Sequence, residues 1–150
     1  MTNQLKQVEK VSDVIQVLKA GADFYRDAMA DIDSMSIKGT FKRMAENKEK
    51  TISTLQPLAI AEQGEKEKGT SWAVEARKMY TKFSSVVSTD RDFTYVNQLE
   101  EVEDKVLEAL DEALDEDQPS SAMATLRSVR AEAQSLHDEM KALQNNMKPH

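Results

Sequence analysis

Residues 99–114 read LEEVEDKVLEALDEAL, and this stretch decides the fold class. Apolar residues recur at three- and four-residue spacing, at Leu99, Val106, Leu110 and Leu114, which predicts an amphipathic helix. Glu103 lies in the middle of that apolar stripe, where a leucine or a valine would be ordinary. The pattern therefore predicts a helix that carries a carboxylate on its buried face.

Three other segments repeat the same apolar spacing. The first helix is predicted from about Gln4 to Ile32, and the second follows the turn residues Asp33, Ser34 and Ser36. The fourth begins near Pro119, because proline suits the first turn of a helix. The central positions of these three stripes are Ala22, Lys48 and the pair Gln134 and His137.

The connections between the helices predict their topology. Pro57 should interrupt the second helix with a kink, and the helix should fray by Gly64. Thr89 with Asp92 resembles a capping box before the third helix. The long connection from 63 to 92 should carry a short helix of its own, with an apolar face made by Trp72, Ala76, Met79 and Phe83. We therefore predict an all-α four-helix bundle, with a long crossover between helices 2 and 3 that carries an extra short helix.

Composition limits the classes of function. With 150 residues and 39% apolar content, one domain over residues 1–150 is expected. The net charge of −7 argues against nucleic acid as a partner, and the chain has no cysteine to serve as a thiolate nucleophile or a sulfur ligand. The sequence has no run of about 20 apolar residues to span a membrane, so a cytoplasmic protein is predicted.

The charges of Lys48 and Glu103 fall at the centres of two apolar stripes. A lysine in such a place can extend its stem to the rim of the bundle and keep its ammonium in water. Because two opposite charges are expected at the same depth, direct pairing of Lys48 with Glu103 is the favoured interpretation.

Five segments, in this order and spacing, resemble the ferritin-like superfamily, and more closely its small bacterial, rubrerythrin-related four-helix-bundle family of unknown function. These segments are VIQVLKAGADFYRDAMADI at 14–32, FKRMAENKEK at 41–50, SSVVSTDRD at 84–92, the third helix around 99–114 and RAEAQSLHDEMKAL at 130–143. The resemblance covers nearly the whole chain. It implies a ferritin-like bundle and a di-iron centre in the middle of it.

The ligand pattern implied by that resemblance is largely missing. A di-iron centre of this type takes one Glu from each of two helices and a Glu-x-x-His from each of the other two. The corresponding positions here are Ala22, the pair Lys48 and Thr51, Glu103, and the pair Gln134 and His137. Only Glu103 and His137 are good ligands, so we predict a degenerate site with no resident metal, no cofactor and no catalytic residue.

We accordingly favour a structural or interaction role, which the resemblance links to stress, over an enzyme activity. In this hypothesis Lys48 takes the place of the metal charge and pairs with Glu103, Gln134 and His137 complete the hydrogen bonds, and Ala22 leaves room. Tyr25 is expected as a packed ring with its hydroxyl near water.

Two other interpretations stay open. In the first, a single iron or manganese ion binds to Glu100, Glu103 and His137 and supports an oxidoreductase or iron-handling activity. In the second, a small molecule binds near Ala22 and the aromatic residues Trp72, Tyr80 and Phe83. Those aromatic residues could equally form the contact of a homodimer, and no protein partner is identified.

Overall fold

The computed structural model describes residues 6–69 and 91–147, and all the regular structure in these two ranges is α-helical. The four helices are α1 (Val11–Met29), α2 (Met35–Gln63), α3 (Arg91–Leu114) and α4 (Ser120–Met147). For these two ranges, the prediction of an all-α fold with four long helices is confirmed. None of the helices in the described ranges combines the length and the apolar content that crossing a membrane requires.

The first helix is shorter than predicted at its N-terminal end. Lys10 adopts a left-handed conformation with φ of 63°, and α1 begins at the next residue, Val11, and not at Gln4. A left-handed residue does not continue a right-handed helix, so it sets the start. Ile32 lies beyond the end of α1 but is buried, because the turn folds back onto the core.

Both ends of α2 are set by local chemistry that the sequence indicated. The Ser34 hydroxyl accepts the backbone N–H of Ile37 at 3.2 Å, as an N-cap does. Gly64 closes the helix in a left-handed conformation with φ of 87°, which glycine adopts without steric cost. The helix continues through Pro57 to Gln63, so the predicted end near Gly64 is confirmed, while the kink at Pro57 stays a prediction. Pro57 and Ser53, whose carbonyl loses its partner, are both exposed, so water can satisfy that carbonyl.

Polar side chains join the helices at both ends of the bundle. At one end the Asp92 carboxylate accepts the backbone N–H groups of Asp33 and Ser34, each at 3.1 Å, and so ties the start of α3 to the α1–α2 turn. At the other end Gln118 accepts the N–H of Glu9 at 2.9 Å. Thr89, the other half of the predicted capping box, lies outside the described residues.

Neighbouring helices run in opposite directions. Arg26 of α1 contacts Glu49 of α2, while Ser12 contacts Glu62, so α1 and α2 are antiparallel. Equivalent pairs make α3 antiparallel to α1 and to α4. It follows that α2 and α3 run in the same direction and that α3 begins at the end of the bundle opposite to where α2 stops. The predicted crossover helix around Trp72 and Phe83 lies outside the described residues.

The apolar core has two parts. One cluster includes Ile15 and Leu18 of α1 with Val106 and Leu110 of α3. The other includes Phe24 of α1 with Val96, Leu99 and Val102 of α3. Glu103 follows Val102 directly, so a charged layer lies where the two apolar clusters meet.

Candidate functional site

Lys48 and Glu103 form a direct ion pair in the middle of the bundle. Lys48 Nζ lies 2.8 Å from Glu103 Oε1 and 2.7 Å from Oε2. Each residue is only 1% exposed, so neither charge is shared with bulk water. The ammonium does not extend to the rim, and the pair satisfies charges whose separate burial would be very costly.

Tyr25 of α1 is the third member of this network. Its hydroxyl donates a hydrogen bond of 2.6 Å to Glu103 Oε2, and Lys48 Nζ lies 5.0 Å from the centre of its ring. Complete burial, and secondarily the negative charge of Glu103, raise the pKa of the Tyr25 phenol well above 10.0. The expectation that this hydroxyl lies near water is wrong, because Glu103 supplies an acceptor inside the core.

The room for the lysine stem comes from Gly21. A Cβ atom at position 21 would lie 3.2 Å from Lys48 Cε, 3.3 Å from Lys48 Cδ and 3.0 Å from Val102 Cγ1. These separations are shorter than ordinary carbon–carbon contacts. Ala22, which the sequence singled out for this purpose, is buried beside it. The close approach of α1, α2 and α3 therefore depends on Gly21 and not on Ala22.

Thr51 lies one turn after Lys48 but does not bond to the charged pair. Its hydroxyl donates to the backbone carbonyl of Asn47 at 3.0 Å, within α2. Lys48, Thr51 and Glu103 line a cavity of about 10 Å³, which has room for about one water molecule. The interior of the described bundle beside the pair is therefore filled by the protein itself.

His137 and Gln134 do not complete the hydrogen bonds of the pair, so that part of the prediction is wrong. His137 turns to the rim between α3 and α4, where its Nε2 lies 2.6 Å from Asp104 Oδ1 and 3.4 Å from Glu100 Oε1. Gln134 donates to Asp138 Oδ1 at 2.9 Å. Two exposed carboxylates, Asp104 on α3 and Asp138 on α4, therefore hold these side chains away from the core.

The rim group of Glu100, Asp104 and His137 is a candidate metal centre. One possible ligand atom from each of the three residues lies within 4.8 Å of the others. Glu100 and Asp104 are four residues apart on α3 and therefore share one face of the helix. The sequence suggested Glu100, Glu103 and His137 as ligands of a single ion. In the structure Glu103 is bonded to Lys48 in the core, and Asp104 lies beside Glu100 and His137 at the rim.

The electrostatics of the rim favour a cation. Burial alone lowers the pKa of the His137 imidazole, but hydrogen bonds to Asp104 and Asp138 and the charge of Glu100 outweigh it, so the pKa lies above 6.5. Lys141 Nζ is 3.9 Å from Glu100 Oε1 and is about half exposed. The carboxylates between α3 and α4 thus surround two cationic groups, the imidazole of His137 and the ammonium of Lys141.

Sequence reasoning missed three residues of these two sites. Tyr25 was assigned to packing, Gly21 was passed over for its neighbour, and Asp104 was not considered. The spacing of Glu100 and Asp104 was visible in the sequence, and it would have suggested a shared face. No sequence signal indicated that the hydroxyl of Tyr25 reaches Glu103.

A broad groove separates α2 from α4. It has a volume of about 430 Å³ and is lined by hydroxyl and charged side chains, among them Thr54, Thr125, Ser128, Lys50 and Glu132. These two helices make fewer contacts with each other than the other neighbouring pairs do.

Residues 6–116 match the model of a protein family described as a domain of unknown function, DUF2383. The chain belongs to this family. The DUF2383 match covers α1, α2 and α3 and includes Tyr25, Lys48 and Glu103, whereas α4 and His137 lie beyond its end. No curated protein and no solved structure matches the chain significantly. The core network is thus contained in the family's match, and the rim group extends past it.

Proposed function

We propose that this DUF2383 protein is a ferritin-like bundle that has lost di-iron chemistry and has a structural or interaction role. The observation that carries the proposal is the bonding of the Lys48 ammonium to both oxygens of Glu103, at 2.8 and 2.7 Å, in the buried layer between the two apolar clusters. A role in stress rests on the resemblance of the sequence alone.

The helix directions support the ferritin-like part of the proposal. Ferritin-like bundles have one long crossover connection, which joins two helices that run in the same direction. Here α2 and α3 run in the same direction, and 27 residues, 64–90, separate them in the sequence. Short turns, by contrast, join α1 to α2 and α3 to α4.

The residues of the central layer do not fit a di-iron centre. Two iron ions need several anionic oxygens together with imidazoles. Among the described residues the layer offers one carboxylate, Glu103, and its two oxygens already accept bonds from Lys48 and Tyr25. An ammonium at this position also repels any cation that enters, and the imidazole of His137 points to the rim.

The two alternative functions receive less support. A metal-dependent oxidoreductase that uses Glu103 would have to break the buried pair with Lys48. For the small-molecule site, the described cavity beside Lys48 and Glu103 offers only about 10 Å³, room for about one water molecule. Homodimer formation remains a prediction of the resemblance, and Trp72, Tyr80 and Phe83 lie outside the described residues.

The experiment is an iron-oxidation assay combined with metal analysis. The untagged chain, purified from iron-supplemented cells, should oxidise added Fe²⁺ no faster than buffer, and any iron that it contains should be kept when Glu103 is changed to Gln. Glu103→Gln and the surface control Glu101→Gln should behave alike. Stoichiometric iron that Glu103→Gln loses and Glu101→Gln keeps would contradict the proposal.

A further inference from the structure

We propose that Glu100, Asp104 and His137 bind one divalent first-row transition-metal ion of the Zn²⁺ type at the seam between α3 and α4. One atom from each residue lies within 4.8 Å of the others, and the three side chains come from two helices that pack directly together. The site is separate from the pair of Lys48 and Glu103, so the inference does not depend on the proposed function.

The separations agree with the geometry that such an ion requires. A tetrahedral Zn²⁺ with ligands at roughly 2.0–2.2 Å holds neighbouring ligand atoms about 3.4 Å apart. His137 Nε2 and Glu100 Oε1 are 3.4 Å apart, while His137 Nε2 and Asp104 Oδ1 are 2.6 Å apart as a direct hydrogen bond. The Asp104 side chain is 55% exposed, so a small outward rotation opens the second distance to the first.

The Glu100 carboxylate faces His137 from the buried side of the seam. Its side chain is 8% exposed, and it forms ion pairs with His137 and Lys141. The nearest cationic atoms are His137 Nε2 at 3.4 Å and Lys141 Nζ at 3.9 Å. An ion between Glu100 and His137 would replace these two long ion pairs with direct metal–ligand bonds.

A further carboxylate orients the imidazole. Asp138 Oδ1 lies 3.4 Å from His137 Nδ1 and also accepts a hydrogen bond of 2.9 Å from Gln134. Metal-binding histidines commonly donate the ring N–H that does not face the metal to such a carboxylate. With Nδ1–H directed to Asp138, Nε2 faces Glu100 and Asp104, and an ion that displaces the Nε2 proton would bind the lone pair on that side.

The donor set selects the class of ion. One imidazole and two carboxylates suit zinc, iron or cobalt, whereas Mg²⁺ and Ca²⁺ bind oxygen ligands almost exclusively. The exposed side of the seam leaves the remaining coordination positions to water. Lys141 is about half exposed and can move into solvent when an ion binds to Glu100.

The test is a calorimetric titration of the untagged full chain with ZnCl₂, followed by the same titration with MgCl₂. We expect one Zn²⁺ per chain and no binding of Mg²⁺. His137→Asn and Asp104→Asn should each weaken Zn²⁺ binding by about tenfold or more, the range seen when a metal site loses even an outer partner. The matched control is Glu101→Gln, which removes one negative charge from an exposed position on the same helix and should leave the affinity unchanged.

A second measurement reports directly on the ligand. The chain has two histidines, so the ring signals of His137 and His150 can be followed separately by NMR. Zn²⁺ should shift the His137 signals and leave those of His150 unchanged. No Zn²⁺ binding, equal weakening in Glu101→Gln and His137→Asn, or a shift at His150 alone would overturn the proposal.

Discussion

Lys48 and Glu103 contact each other through both oxygens of the carboxylate, at 2.8 and 2.7 Å, in a layer where each residue is 1% exposed. The two side chains come from α2 and α3, which are separated by α1 and α4 in the arrangement of the bundle. The pair therefore links helices across the core, and its stability depends on both members being present.

Removing one charge should destabilise the fold more than removing both. Lys48→Met leaves the Glu103 carboxylate buried beside Tyr25 alone, and we expect a loss of about 3–5 kcal/mol in the free energy of unfolding. The double variant Lys48→Met/Glu103→Leu removes both charges and should be considerably more stable than the single one. Urea denaturation measures both values.

A third variant serves as the control, because it also removes the hydroxyl of Tyr25. In the double variant the Tyr25 hydroxyl has lost its acceptor, so adding Tyr25→Phe should recover part of the remaining loss, about 1–3 kcal/mol. A Lys48→Met variant as stable as the wild type would contradict the view that Lys48 compensates the charge of Glu103.

The hydroxyl of Tyr25 should stabilise the wild type through its bond to Glu103. Tyr25→Phe removes a hydrogen bond of 2.6 Å to a buried carboxylate, and a loss of about 1.5–3 kcal/mol is expected, since bonds to charged groups are the stronger class. Thermal and urea unfolding at neutral pH provide the measurement. No change in stability would show that the bond to Glu103 contributes nothing.

The same hydroxyl predicts a dependence on alkaline pH. Burial, followed by the charge of Glu103, raises the pKa of Tyr25 in the folded state well above 10.0, its ordinary value; Glu139 and Glu100 act in the same direction. A raised pKa gives stability that is fully present below pH 10 and is lost as pH rises further, because only the unfolded chain then releases the proton. The advantage of the wild type over Tyr25→Phe should therefore shrink from about pH 9 to about pH 11. A constant difference would contradict this prediction.

Gly21 and Gly39 offer a matched pair of helix glycines. Gly39→Ala should stabilise the chain by about 0.5–1 kcal/mol, because alanine favours a helix and nothing lies within 4 Å of the new methyl group. Gly21→Ala gains the same helix preference but forces its methyl group against Val102 and the Lys48 stem, and overpacking costs about 1–3 kcal/mol. Gly21→Ala should thus be the less stable variant, and equal effects in unfolding experiments would contradict the close approach at Gly21.

Asp92 should anchor the start of α3. Asp92→Ala removes the acceptor of two backbone N–H groups in the α1–α2 turn, and we expect a loss of about 1–2 kcal/mol. Asp92→Asn keeps one acceptor oxygen and should fall between the alanine variant and the wild type. Amide exchange at Asp33 and Ser34 should accelerate in the same order.

The helices and the central pair were predictable because their causes are local and periodic. Apolar spacing located α2, α3 and α4 with little error, and the central positions of two stripes brought Lys48 together with Glu103. The start of α1 was missed, since the left-handed conformation of Lys10 has no signature in a lysine.

The environment of His137 was missed for a different reason. Its position on the flank of a stripe is compatible with a side chain that turns inward or outward. The choice depends on Asp104 and Asp138, whose distances follow from the rotation of α4 against α3. Hydrogen-bond partners across helices are set by tertiary packing, which periodicity alone does not determine.

The pair of Lys48 and Glu103 also has an evolutionary consequence. A single change of Lys48 to a carboxylate would bring two acidic groups together in a dry layer with no cation between them, and one of them would have to take up a proton. Such an intermediate is destabilised, whereas changing both positions together to apolar residues avoids the buried charge. The network of Tyr25, Lys48 and Glu103 therefore couples these positions in evolution: a lineage that changes Lys48 or Glu103 is expected to change both.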